Sequence, residues 1–331
     1  MPAYNGEKFI ADAIRCVLEQ TYEDLVLVIS DNASTDRTEE ICRQFAAKDA
    51  RVDYCRHEEN LGATANYNFV AQRASTELFK WHSCNDLLSR NMLESCVQRL
   101  DRDPNIALVY AQTWLFENSV DDAQRYGEDP LADQDDALQR FIHVIDHMAL
   151  NNIMNGVMRL DALKRTAMLR EFYFADRTMM AELALRGKVI EDSTSRFYRR
   201  MDEDSATQKK SEEEVLKHFD PSWKRPLPFT NWRVYGSFLQ GLWRSEIGLG
   251  SASSGAGRRA ARVRAGSSSI VRSGAPRPAP GYWKRAAADL PACVAVPPAR
   301  PTATRRVRWR IGWLSPCRGP HRDACGRLRP G

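Results

Sequence analysis

The stretch LVLVISDNASTDR, residues 25–37, sets an unbroken apolar run against a polar turn. A strand with one wet face alternates apolar and polar residues, whereas a continuous run suits a strand covered on both faces. The turn DNASTD then leads into a helix expected to reach about Ala47, with Asp36 and Glu39 as its capping pair. On the amino-terminal side, residues 7–20 place Phe9, Ile10, Ala13, Ile14, Val17 and Leu18 on one face, which is helical spacing. On the other side a short strand is expected near 52–56, then the loop HEENLG, a helix over 63–74 and a strand over 77–81 that runs into SCNDLL.

Strands alternating with helices predict an α/β fold with a mostly parallel sheet flanked by helices. Such sheets bind ligands at the carboxyl ends of their strands. DNASTD, HEENLG and SCND each follow a predicted strand, so all three are expected to open on one crevice. Further along, the pattern predicts a helix over 91–100, a strand over 106–114, an acidic irregular segment over 117–136 and a helix to about 150. A strand over 153–160, a helix over 175–186 ended by Gly187, and strands over 188–191 and 195–199 complete the reading.

Charge divides the 331 residues in two. Of 48 basic and 43 acidic residues, 17 and 2 lie from Gly248 onward, which leaves 31 against 41 before it. The texture changes at the same place, to GSASSGAGRRAARVRAGSSS and PPARPTATRRVRWR, without helical or strand period. Such a tail, 248–331, cannot bury enough apolar surface to offset ordering entropy and is expected to be disordered. Three origins stay open for it: a phosphate-seeking arm for nucleic acid or a membrane surface, a solvated extension, or an out-of-frame translation of a GC-rich gene. No function and no nucleic-acid partner is assigned to it. The earlier part divides at about residue 110 into a ligand-binding half, 1–110, and a second half of the same domain, 111–247. Cys16, Cys42, Cys55, Cys84 and Cys96 show no regular spacing, which argues against a zinc knuckle or a disulfide framework and fits a reducing compartment. No apolar run approaches 18 residues, so no membrane span or signal peptide is expected.

Four motifs occur in order: PAYN at 2–5, ISDNASTD at 29–36, ENLGATANYN at 59–68 and the acid at Asp86 within WHSCNDLLS. Together they resemble the family 2 glycosyltransferases of the GT-A fold over roughly residues 1–205. The resemblance implies a Rossmann-like sheet in which Pro2, Ala3, Tyr4 and Asn5 line a nucleotide pocket and Asp31 hydrogen-bonds the donor base. Helix capping is the alternative for Asp31. Asn60, Gly62 and Asn66 match a loop near the nucleotide; for the two asparagines local turn bonding is equally open. The family normally has an apolar strand before the first motif, whereas here Met1 directly precedes Pro2. The reading therefore expects either a start further upstream or a sheet short of one central strand.

The resemblance also implies a divalent ion, manganese or magnesium, held by hard oxygen ligands at the donor diphosphate. Asp86 matches the last acid of the family's metal motif, and Asn85 stands where another acid is common. An amide brings no negative charge, so weakened metal binding is expected. His82 and Cys84 suggest a transition-metal pair but lack further partners in the local sequence. Asp176, just before the pattern AELALRG, matches the family's general base, with an ordinary N-cap aspartate as the alternative. Glu171 and Glu182 are weaker candidates, Glu182 being expected to face solvent or brace a loop. Arg199 and Arg200 match a loop that contacts the diphosphate, although Asp202 stands where a histidine is usual.

These correspondences imply an inverting, metal-assisted transfer of a sugar from a nucleotide-diphosphate donor, carried by uridine or thymidine. The acceptor would be a hydroxyl of a glycan or lipid-linked saccharide, in cell-surface polysaccharide synthesis of a bacterium. The expected place is the cytoplasm or the inner face of its membrane, with peripheral membrane association. The rival readings are a catalytically inactive protein of the same fold and, through the tail, a nucleic-acid binder.

Overall fold

The computed structural model describes residues 1–172, 174–201 and 230–245. The tail 248–331, the boundary near 247 and Asp202 lie outside them. The apolar run becomes strand β2 (Leu27–Asp31), which lies between β1 (Pro2–Ala3) and β3 (Val52–Arg56) in a three-stranded parallel sheet. The ladder extends through Met1, whose carbonyl accepts from Ser30 N at 2.9 Å. Helix α1 (Ile10–Leu18) connects β1 to β2, and α2 (Thr38–Lys48) connects β2 to β3. Helix α1 is shorter than its periodicity predicts because residues 6–10 close a turn, with Phe9 N and Ile10 N both donating to Gly6 O.

The expected capping pair of α2 is corrected in its second member. Asp36 Oδ1 does accept from Thr38 N, at 3.0 Å, but the glutamate that reaches the helix start is Glu7, which accepts from Arg37 N at 3.1 Å. Glu39 instead pairs with Arg43 and Arg56. A residue distant in sequence does the work that local spacing assigned to a near one.

Helix α3 (Ala63–Arg73) leads into a second sheet with the strand order β4 (Leu78–Phe79), β8 (Val157–Arg159), β6 (Ile106–Phe116), β9 (Lys188–Arg200), β5 (Leu87–Leu88). A short β7 (Gln124–Arg125) pairs with the end of β6. Only β6 and β9 run parallel here; the other pairs are antiparallel. Strand β6 is central and buried on both faces. Val109 and Ala111 enter a core with Ile10, Ile14, Ile29, Met92 and Leu100, while Leu108 and Tyr110 enter another with Trp81, Met158, Met179 and Leu183. The period of two thus joins both cores through one strand.

The two strands expected at 188–191 and 195–199 are one. Between Ala111↔Asp192 and Gln112↔Arg196 the register shifts, and Asp192 holds the extra residues by accepting from Thr194 and Ser195. This bulge restores pairing so that Arg199 and Arg200 lie opposite Leu115 and Phe116. Around the sheet stand α4 (Met92–Arg102), α5 (Ala137–His147), α6 (Leu160–Lys164), α7 (Ala175–Arg186) and α8 (Thr230–Arg244). The run at 153–160, expected as a strand, begins as a 3-10 turn over Ile153–Asn155 before β8. Glu182 does not face solvent. It is 1% exposed, accepts from Ala167 N at 2.9 Å and pairs with Arg244 of α8 at 2.6 Å.

Gly187 joins α7 to β9 where a Cβ would come within 2.7 Å of Asn105 O and 2.8 Å of Ala107 N. Backbone cannot yield as a side chain can. Gly187→Ala is therefore expected to destabilise the fold by about 1–3 kcal/mol in denaturant unfolding, and an unchanged midpoint would show that this junction is loose.

Candidate active site

The loops after β1 and β2 are bonded to each other. Asn5 N donates to Ser34 Oγ at 3.0 Å, Thr35 N donates back to Asn5 Oδ1 at 2.8 Å, and Gly6 N donates to Thr38 Oγ1 at 2.8 Å. Asn5 and Ala33 both have left-handed backbone, φ 47° and 60°. Asparagine tolerates that region; alanine is held there at some cost, of the kind that clusters at functional sites. Pro2 and Ala3 are buried in the sheet, and Tyr4 is exposed at its end.

Asp31 lies below this surface, 0% exposed. Its carboxylate accepts from Ser34 N at 2.8 Å, from Tyr54 Oη at 2.9 Å and from Arg56 Nη1 at 2.9 Å. It therefore organises the turn and the β3 residues beside it. Asn60 Oδ1 accepts from Asn32 Nδ2 at 2.8 Å and from Gly62 N at 2.9 Å, while Asn32 Oδ1 accepts from Leu61 N. Gly62, φ 84°, makes the turn that starts α3. Asn66 is buried and braces the sheet, donating to Ser30 O at 3.0 Å and accepting from Ser30 Oγ at 2.6 Å. Only Asn60 makes a local turn bond, to Gly62 N; the bonds of Asn66 reach back 36 residues to Ser30.

WHSCNDLLS crosses from β4 to β5 against the first loop, with a Cβ on Gly6 coming within 3.1 Å of Cys84 Sγ. Asp86 is 4% exposed, and its Oδ1 accepts from Arg200 N at 2.9 Å. Burial pushes its carboxyl above the usual range, against the lowering effects of Arg199, the Arg200 N–H, Lys80 and Ser83. The Arg200 guanidinium lies between the rings of Phe9, 4.1 Å, and Phe116, 4.4 Å, and donates to Asn85 O at 3.1 Å and Glu117 O at 2.8 Å. Where the resemblance implies a phosphate contact, Arg200 has instead a structural place under Asn85 and Asp86. His82 turns to Cys16, 3.6 Å away, and not to Cys84. Among the described residues no group of three or more His, Cys, Asp and Glu side chains is placed to hold a metal.

Asp176 occupies the second position of α7. The N-cap is Phe174 in left-handed conformation, φ 71°, so Asp176 is not the capping residue. Its Oδ2 accepts from Asn151 Nδ2 at 3.0 Å and its Oδ1 from Arg177 N at 2.9 Å. Next to Asn151, buried Asn152 donates to Asp129 Oδ1 at 2.9 Å and accepts from Arg199 Nη1 at 2.5 Å. Thr113 Oγ1 donates to the other Asp129 oxygen at 2.6 Å. Burial pushes Asp129 up to about 6, against Thr113, Asn152 and Arg199 and with Glu191. Asp129, Asn151 and Asn152 carry no sequence signature: one is an acid among many in 117–136, and the others precede an apolar run.

The model of the family described as "Glycosyl transferase family 2" matches residues 1–170, half of the chain. The chain belongs to this family. Its relatives include glycosyltransferase GlyG of Streptococcus pneumoniae serotype 4, 28% identical over 109 residues, 33% of this chain and 36% of that protein. The putative teichuronic acid biosynthesis glycosyltransferase TuaG of Bacillus subtilis is 31% identical over 93 residues, 28% of this chain and 37% of that protein. The chain spans little more than a third of the length of either. In fold it is similar to S. aureus TarS 1–349 in complex with UDP, with TM-score 0.50 and 17% identity over 73% of this chain and 79% of that one. The GT-A α/β fold predicted from the sequence is the fold observed.

In this member of family 2 the residues at Asp86 suit a divalent ion shared with a ligand rather than a self-contained metal centre. Asp86 would supply one carboxylate and Asn85 one amide, and magnesium or manganese is commonly held by one or two carboxylates together with substrate phosphates. The charge of a buried, ionised Asp86 is what such an ion would offset.

Asp129 gives a test of the site's electrostatics. Its folded pKa is raised, so the native state holds the proton more tightly than the unfolded chain, and its contribution is most favourable below about pH 4 and is lost as pH rises through about 6. Relative to Asp129→Asn, the parent should lose about 1–3 kcal/mol of stability between those limits, read from urea unfolding across pH. Parallel pH profiles for the two proteins would show that Asp129 is not perturbed.

Proposed function

We propose that this protein is an inverting glycosyltransferase that moves a sugar from a nucleotide-diphosphate donor to a hydroxyl of a glycan or lipid-linked saccharide. Membership of the family supports the transfer. The observation that carries the reading further is that Asn151 bonds Asp176 while its neighbour Asn152 bonds Arg199, whose charge acts on Asp86. One carboxylate would face the cation and the other, at the start of α7, the acceptor hydroxyl.

The nucleotide is assigned to the surface formed by Tyr4, Asn5 and the Asn32–Asn60 clamp, with Asp31 holding that surface from below. Asp86 and Asn85 would hold manganese or magnesium, which when bound supplies positive charge to the leaving diphosphate. Arg199 faces the same charge from β9. Asp176 takes the proton of the acceptor hydroxyl as its oxygen bonds to the anomeric carbon. The bond from that carbon to the diphosphate breaks with its electron pair on the diphosphate, so a single attack inverts the centre. Uridine and thymidine are the proposed carriers, and cell-surface polysaccharide the proposed product class. Work at the cytoplasmic face of a membrane fits a lipid-linked acceptor; no described helix is long and apolar enough to cross one.

Asp176→Asn separates chemistry from binding. Transfer from a UDP-sugar to an added acceptor should fall by at least about a thousandfold, while UDP affinity stays within about twofold of the parent. Equal loss of both would make Asp176 a structural residue of the α7 start.

A further inference from the structure

Helix α8 has one face packed and one face bare. On the packed face Val234, Ser237 and Phe238 are buried, the Phe238 ring meets Phe141 edge-on at 5.7 Å, and Arg244 pairs with buried Glu182 at 2.6 Å. The opposite face of a helix that borders water is ordinarily polar. Here it is apolar and mostly aromatic: Trp232, Tyr235, Leu239 and Trp243 are 70%, 37%, 67% and 85% exposed. At about 3.6 residues per turn these four fall within about 80° of arc, so they form one continuous stripe. The two tryptophans are the most exposed large apolar side chains among the described residues. Scattered apolar side chains at a surface are ordinary, whereas a contiguous patch marks an interaction site.

We propose that this stripe docks the protein on a membrane surface that carries anionic lipid. Tryptophan and tyrosine favour the membrane–water interface, where the ring is sheltered and its N–H or O–H stays wet. Helix α8, 15 residues, is about 22 Å long, short of the ~30 Å hydrocarbon layer, and its inner face is already occupied, so it lies along the surface. Charge points to anionic headgroups. Helix α8 contains Arg233 and Arg244 and no acid, and the chain from Gly248 onward holds 17 basic residues against 2 acidic ones. An apolar face and a basic segment are the two signals that stable peripheral binding takes. Nucleic acid offers the same phosphates but no apolar layer to receive Leu239. The proposal is independent of the donor site, since docking is read without turnover.

The test is co-sedimentation of the full chain with vesicles of phosphatidylcholine, with and without phosphatidylglycerol. The parent should bind the anionic vesicles, and added salt should weaken that binding. Trp232→Gln combined with Trp243→Gln should lower the partition coefficient at least about tenfold, whereas Val26→Ser, at an exposed apolar residue outside α8, should leave it within about twofold. Glutamine keeps helix propensity, and circular dichroism confirms that each variant is folded. Equal binding by a folded double tryptophan variant would give the membrane contact to other residues and overturn the proposal. So would a parent that sediments with neither kind of vesicle, or equally with both. A tryptophan-dependent dimer in light scattering, or tryptophan-dependent binding of a DNA oligonucleotide, without vesicle binding would overturn it in favour of those partners.

Discussion

Burying a guanidinium costs several kcal/mol unless its N–H groups find acceptors. Arg200 meets that cost with two backbone carbonyls and two aromatic faces, drawn from three separate parts of the chain. Phe9 belongs to the loop after β1, Asn85 to the crossing between β4 and β5, and Glu117 to the end of β6. The backbone N–H of Arg200 then fixes Asp86. Removing this one side chain would take one donor from Asn85 O and one from Glu117 O and leave a gap between two rings. The position of the acid proposed to face the cation thus depends on a residue that itself faces the core.

A similar logic runs through the rest of the site. The loop residues that the motifs single out are held chiefly by one another: Asn5 by Ser34 and Thr35, Asn60 by Asn32 and Gly62, Asn66 by Ser30. Two residues in left-handed conformation are kept there by these bonds. A surface made in this way is ordered before a ligand arrives, which reduces what binding must supply. Adjacent residues Asn151 and Asn152 bond Asp176 and Arg199, so that the two tasks proposed for them meet at one turn.

How much of this was legible follows the range of the interactions. The 25–37 stretch could be read because a doubly covered strand and a polar turn are local patterns, and the helix over 175–186 was found to the residue because Gly187 ends it. The motifs at 2–5, 29–36 and 59–68 fall on loops that are bonded to one another. Strand direction in the second sheet was not legible, since period-two burial is the same for parallel and antiparallel pairing. The bulge at 193–195 appeared only as a gap between two strands. Asp129 and Asn152 were missed because their meaning lies in partners 16 and 47 residues away. Glu39 and Arg200 were misplaced for the same reason, since a charged residue reads as locally bonded or ligand-facing until its distant partners are known, whereas Glu182 braces the loop at Ala167, one of its two expected roles.

The central claim is that Asp86 and its neighbours form a donor site that works through a divalent ion. The most direct measurement is titration of UDP into the folded chain with and without manganese, repeated on Asp86→Ala. The account predicts binding that requires manganese and is lost in the variant. Binding that is equal without manganese, or that survives in Asp86→Ala, would contradict it.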